Sequence, residues 1–284
     1  MKFLVECLKG IMIGIANAIP GVSGGTMMVS MGIYDKIIDS VTGLFKDFKK
    51  SAMTLLPYLI GMAVGIVGLS FSITYLLEHY PFQTSLLFIG LILGGLPILT
   101  THVNRKSIRI QHVVIFLITF AAIIVLQLLG EGSFVKIAIG LSIIEVVKLF
   151  FIGIIAAATM VIPGVSGSMI LMILGYYYPV LTLITDFIKA LTSGNIPELL
   201  RTCGALIPFG IGVVVGIFAI AKLIQLLLNR FESYTYCGIL GLVAASPIAI
   251  FMCNGIPPLS FVTVITGILA LGIGLLVANM LGKE

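Results

Sequence analysis

The chain has 284 residues, of which 60% are hydrophobic and only 10% charged. A soluble domain carries about 25% charged residues, so this composition excludes a soluble enzyme, a nucleic-acid binder and a disordered chain. What remains is an integral membrane protein. The net charge of +5, from 16 Lys and Arg against 11 Asp and Glu, sits in gaps between apolar runs rather than on one basic face. Membrane lipids are therefore the expected surroundings, and no nucleic acid is an expected partner.

The first segment resembles a signal peptide only superficially. Lys2 and Lys9 precede Ala16-Asn17-Ala18, but the apolar core between Lys9 and Ala16 is six residues, below the ~7–15 such a leader needs. Cleavage there would also cut a repeat described below, so Met1 to Glu284 is read as mature. Between Lys9 and Asp35 lie 25 uncharged residues interrupted by Pro20-Gly21. Two spans need ~40 residues, so this segment is one broken helix or a re-entrant hairpin over about 10–40. The positive-inside rule favours the hairpin. It puts Lys2, Lys9, Lys36, Lys46, Lys49, Lys50, Arg105, Lys106 and Arg109 on one face and only Lys136 opposite, nine against one. A single broken span gives seven against three.

The mixed stretch from Lys36 to Lys50 reads as an amphipathic interfacial helix. Uncharged spans follow at 51–77, 79–104 and 110–130, then at 202–221. The run 233–282 is divided by Asn254-Gly255-Ile256-Pro257-Pro258 into two more. No alternating barrel pattern appears. Four cysteines, Cys7, Cys203, Cys237 and Cys253, show no metal spacing, and neither a metal nor an organic cofactor is expected.

An internal repeat organises these segments. Ile19-Pro20-Gly21-Val22-Ser23-Gly24-Gly25 returns as Ile162-Pro163-Gly164-Val165-Ser166-Gly167-Ser168 at an offset of 143, continuing through Gly32/Gly175 and Tyr34/Tyr177. The offset then becomes 151, aligning Pro57/Pro208, Gly61/Gly212, Gly65/Gly216 and Gly90/Gly241. The expected fold is all-α: two membrane repeats, 1–130 and 131–284, each a re-entrant hairpin plus three transmembrane helices. The second hairpin falls at about 149–182. Three spans per repeat is odd, so the two repeats have inverted topology, the architecture of secondary transporters. Both termini are then cytoplasmic.

Each Pro-Gly tip precedes a half-helix beginning near Ser23 or Ser166. Unpaired N–H groups at such a start favour an anion. Asn17, Ser23, Thr26, Ser166 and Ser168 add neutral polar groups. Gly21, Gly24, Gly25, Gly164 and Gly167 let the backbone approach a phosphate or carboxylate. Glu145 and Lys148, three apart on one helical face, and Arg201 lie on the outer side of this topology. Arg201 is the stronger capture group, because its guanidinium grips phosphate bidentately. Gly21 to Gly25 also matches the nucleophile elbow G-x-S-x-G, but that motif needs a preceding strand and triad partners. His79, His102 and His112 all lie outside the hairpins, so no catalytic residue is assigned.

The stretch Gly14-Ile15-Ala16-Asn17-Ala18-Ile19-Pro20-Gly21-Val22-Ser23-Gly24-Gly25-Thr26, then Gly32-Ile33-Tyr34, resembles the bacterial polyprenyl-phosphate transporter family (PopT type), formerly a membrane domain family of unknown function. Met160 to Ser168 followed by Leu174-Gly175-Tyr176-Tyr177 is similar to that family's second motif. The resemblance covers nearly the whole chain. It implies a flippase of the bacterial cytoplasmic membrane that returns undecaprenyl phosphate from the outer to the inner leaflet for envelope synthesis. It also implies an acidic residue in many members where this chain has Asn17. No G-x-x-x-x-G-K-[ST] motif exists, so the driving force is expected from a proton or sodium gradient, a potential, or headgroup removal. A homo-oligomer is compatible with this reading. The alternatives are an ion-coupled carrier of a small soluble anion and a membrane enzyme acting on lipid phosphates.

Overall fold

The computed structural model describes residues 2–18, 22–103, 108–130, 142–256, 258 and 260–282. Among these every regular element is a helix. The first half holds α1 (Lys2–Ala18), α2 (Gly24–Ser30), α3 (Tyr34–Gly43), α4 (Phe48–His79), α5 (Pro81–His102) and α6 (Ile110–Gly130). The second holds α7 (Ile143–Val161), α8 (Gly167–Ile173), α9 (Tyr177–Ser193), α10 (Ile196–Asn254) and α11 (Phe261–Gly282). One helix, a seven-residue helix, a further helix and then long helices follow in the same order in each half. Residues 131–141, and with them Lys136, lie outside the described residues, as do Ile19, Pro20, Gly21, Arg105, Lys106 and Lys283.

Six of the described helices are long and apolar enough to cross a membrane: α4, α5, α6, α7, α10 and α11. Helix α10 has 59 residues, or ~88 Å at ~1.5 Å per residue, against a hydrocarbon core of ~30 Å. It breaks at Phe231 (φ −137°, ψ 46°), and its arms, 196–230 and 232–254, are each long enough to cross. Large apolar side chains face outward throughout. Ile143 and Phe261 are both 82% exposed, which only a lipid surrounding makes tolerable. The chain is a multi-pass helical membrane protein.

Helix α7 begins at Ile143, before the bound of about 149 expected for the second hairpin. Ser142 Oγ accepts the Glu145 N–H there at 3.3 Å, and the 19 residues of α7 are long enough to cross. One expectation needs correction: the interfacial helix from Lys36 to Lys50 is two pieces. Helix α3 ends at Gly43, and Asp47 Oδ1 accepts the Lys50 N–H at 3.1 Å to cap the start of α4.

The arm after each Pro-Gly tip is also split, for a reason visible in the backbone. Gly32 and Gly175 have φ of +66° and +77°, and each closes a Schellman motif. Gly32 N–H bonds Val29 O and Ile33 N–H bonds Met28 O, both at 3.0 Å. The second copy repeats this with Gly175 to Met172 and Tyr176 to Leu171, both at 2.9 Å. Only glycine holds that φ cheaply. In the second copy α8 and α9 therefore meet at 109°.

Packing follows the same repetition. Helix α1 lies along α4, and α7 lies along the first arm of α10. A Cβ on Gly61 would strike the Cys7 carbonyl oxygen, and one on Gly212 would strike that of Phe150. Glycine at both positions lets the helix axes close. The last helix of each half pairs across the molecule: α11 packs on α5, and α6 packs on the second arm of α10. Between these pairs, α2 is buried along its whole length against α1, α5 and α7.

Candidate functional site

The two Pro-Gly motifs touch. Gly164 N–H donates to Thr26 Oγ1 at 2.8 Å across 138 residues of sequence, and Thr26 is fully buried. Gly25 faces the backbone of Ile162 and Pro163 so closely that an added Cβ would sit 3.1 Å from Pro163 Cα. Tyr34 fastens the same junction from α3, its hydroxyl donating to Val161 O at 3.1 Å. Gly164 itself has φ of +80°, and a Cβ there would press on Leu242 O. A Gly25→Leu variant should therefore separate the motifs. We expect it to remain helical by circular dichroism yet lose most transport.

The polar groups at the junction have different states. Asn17 Oδ1 accepts the Gly24 N–H at 3.1 Å, so Asn17 caps α2 from the end of α1 through its amide oxygen. Ser166 Oγ and Ser168 Oγ share a hydrogen bond of 3.0 Å. Ser23 occupies the N-cap position of α2 with extended backbone, but its hydroxyl makes no capping bond. It is 4% exposed, and among the described residues its Oγ has no partner. A buried hydroxyl left unpaired costs about 1–3 kcal/mol, which a bound acceptor would relieve. Gly167 starts α8 as Gly24 starts α2. Both short helices have seven residues, too short to build a full macrodipole. Anion attraction here would rest on individual N–H and hydroxyl groups.

The remaining expected site residues lie elsewhere. Glu145 and Lys148 are near the start of α7, Glu145 ~24 Å from Val161 along the helix at ~1.5 Å per residue. Lys148 is exposed there. Arg201 is engaged: its Nε lies 3.0 Å from Glu198 Oε2 and 3.1 Å from Oε1, and its Nη2 lies 2.5 Å from Oε1. Asp186 Oδ2 of α9 is a further 3.8 Å contact. A phosphate arriving at Arg201 would have to exchange with a carboxylate.

Two polar clusters were not anticipated from the sequence. Tyr236 donates to Asp35 Oδ2 and stacks on His102 at 4.4 Å, whose Nδ1 lies 3.5 Å from Glu232 Oε1. On α3, Lys36 pairs with Glu6 and reaches Tyr58 Oη at 3.2 Å. Burial works against the Lys36 charge, but these two hydrogen bonds outweigh it and hold its pKa above the ordinary lysine value. Lys49 and Lys50 line the same basin, of about 540 Å³. Lys9, counted as a surface charge, is 5% exposed within α1. Both clusters join residues from helices distant in sequence, so neither was legible there. Among the described residues no group of three or more His, Cys, Asp or Glu could hold a metal ion.

A helical membrane protein in which the start of α2 contacts the second Pro-Gly motif fits a transporter. The comparisons agree. The VCA0040-like family, described as undecaprenyl phosphate translocase-like, matches residues 13–257, and the chain belongs to that family. It is 33% identical over 282 residues to the polyprenyl-phosphate transporter of Staphylococcus aureus (strain NCTC 8325 / PS 47), covering 98% of this chain and 96% of that protein. It is 28% identical over 259 residues to the polyprenyl-phosphate transporter of Vibrio cholerae serotype O1 (strain ATCC 39315 / El Tor Inaba N16961), covering 86% and 76%. No solved structure matches the chain.

Proposed function

We propose that this protein carries a polyprenyl phosphate across the cytoplasmic membrane of a bacterium, returning it from the outer to the inner leaflet. One observation supports a site here: the Gly164 to Thr26 hydrogen bond joins the two motifs beside a buried Ser23 hydroxyl that has no partner among the described residues. The prenyl tail stays in lipid, so only the anionic head needs a protected path through ~30 Å of hydrocarbon. At the junction, Ser23, the Ser166–Ser168 pair and the backbone N–H groups of Gly25 and Gly167 replace the head's lost water. No fully buried cation is then required, which avoids a large desolvation cost.

The two halves act as inverted repeats, with α1–α2 and α7–α8 as re-entrant elements entering from opposite faces and both termini cytoplasmic. The matching element order and the crossed pairing of α5 with α11 and α6 with α10 support this. Transport draws on a proton or sodium gradient, the potential, or removal of the headgroup after delivery. The Lys36, Lys49 and Lys50 basin receives the head on the inner side.

The test is reconstitution in unilamellar vesicles with a fluorescent short-chain prenyl phosphate and a membrane-impermeant quencher. Protein-dependent movement of intact lipid between leaflets supports the reading. Release of inorganic phosphate would identify an enzyme instead, and uptake of a soluble anion alone would identify a different carrier.

Arg201 captures the head outside, exchanging Glu198 for phosphate. Exposed ion pairs contribute little to stability, so Arg201→Ala should melt within a few degrees of the wild type. Its initial rate should fall when lipid is supplied from the outer leaflet, with Arg201→Lys only partly restoring it. An unchanged rate in Arg201→Ala removes the capture role.

A further inference from the structure

Beside the junction runs a groove of about 860 Å³ between α6 and the two arms of α10. Its volume is at the upper end of the ~300–1,000 Å³ typical of small-ligand sites. Its walls are almost wholly carbon. Ile115 and Thr119 come from α6, Ile224 and Phe231 from the first arm and the break of α10, and Gly238 from the second arm. Pro163 also lines it, one residue before the Gly164 whose N–H bonds Thr26.

We infer that this groove seats the first isoprene units of the substrate's own tail, with the head at the motif junction. The inference rests on the transport reading above and adds to it where the chain lies. Two features argue for this occupant. Ile162, Pro163 and Tyr34 line the groove and also pack at the junction, so a ligand with an anionic end and an apolar body can reach both. Phe231, where α10 loses its helical backbone, is part of the groove wall, so the opening is built by the fold and not by one side chain. Only part of a long tail fits; the remainder leaves between α6 and α10 into lipid.

Gly238 is the position from which to probe it. A Cβ there would rest 3.5 Å from Ile115 Cγ2 and 3.6 Å from Thr119 Cγ2, ordinary contact distances. Gly238→Phe should fill the groove.

The experiment uses the full-length protein in vesicles with a prenyl phosphate carrying a diazirine on its second isoprene unit. Labelled peptides are mapped by mass spectrometry, and leaflet transfer of the same lipid is read in parallel. Expected is labelling on α6 and the second arm of α10, displaced by unlabelled prenyl phosphate but not by phosphatidylglycerol, and lost in Gly238→Phe. Transfer with labelling confined to other helices overturns the groove and leaves the transport reading standing. Displacement by phosphatidylglycerol to the same extent shows a seat for any lipid chain, and also overturns it. Absence of transfer by the wild type overturns both.

Discussion

Thr26→Val should lower the melting temperature and slow transport together, while Thr26→Ser should leave both close to wild type. Valine has the shape of threonine, so the fully buried site loses only its acceptor oxygen. The Gly164 N–H, 2.8 Å away, would then be buried without a partner, at a cost of about 1–3 kcal/mol. The functional loss should exceed the stability loss, because that bond also sets the register between the two motifs. A shift that raises the barrier by ~1.4 kcal/mol slows transfer about tenfold. The measurements are a thermal melt in detergent and the leaflet-transfer rate at a temperature where both variants are folded. Equal loss in Thr26→Ser would show that packing of the γ-methyl, not the hydrogen bond, holds the junction.

Much of this architecture is written in local pattern. The uncharged runs at 51–77, 79–104 and 110–130 correspond to α4, α5 and α6 because a membrane helix must be apolar along one continuous stretch. The division at Asn254–Pro258 is legible for a similar local reason: Gly255 has φ of +70° and ends α10. Counting charges failed where a helix begins with them. Glu145 and Lys148 made α7 look shorter than it is, although both sit in its first two turns where headgroups can solvate them. The Lys36 to Lys50 stretch misled in the opposite way, since helical periodicity hid the stop at Gly43 and the cap at Asp47. The polarity of the motif residues pointed to an anion site, but their pairing state is a tertiary property. Asn17, Ser166 and Ser168 read alike in sequence; only in the fold does Asn17 become a cap and the two serines a pair. The Thr26 to Gly164 bond had no sequence signal beyond the duplication itself.

The crossed pairing of last helices bears on how such a site could face two sides. Helix α6 belongs to the first half in sequence but packs on α10 of the second, and α11 does the converse. Movement of either half relative to the other would then change both pairs of contacts. Both pairs are closely packed in this structure: a Cβ on Gly274 would strike the Leu87 carbonyl oxygen, and one on Gly241 that of Phe116. The groove lies beside the second pair, between α6 and the two arms of α10.

Ser23→Ala gives the sharpest separation between a structural residue and a site residue, because the two roles predict the same gain in stability but different effects on transport. If Ser23 only fills space at the start of α2, its unpaired buried hydroxyl is a burden, and alanine removes it. Stability should rise by up to about 1–3 kcal/mol, with transport unchanged. A Ser23 that receives the phosphate head gains its partner only when substrate arrives, and alanine takes that partner away. We expect the variant to melt at or above the wild-type temperature and to transfer lipid several-fold more slowly. Ser166→Ala is the internal comparison. Its hydroxyl already shares a bond with Ser168, so alanine there should lower stability slightly and slow transfer less than Ser23→Ala. Reconstituted variants compared at equal protein density decide it. A Ser23→Ala protein that is both more stable and fully active would move the head away from the first motif, to the Ser166–Ser168 side of the junction.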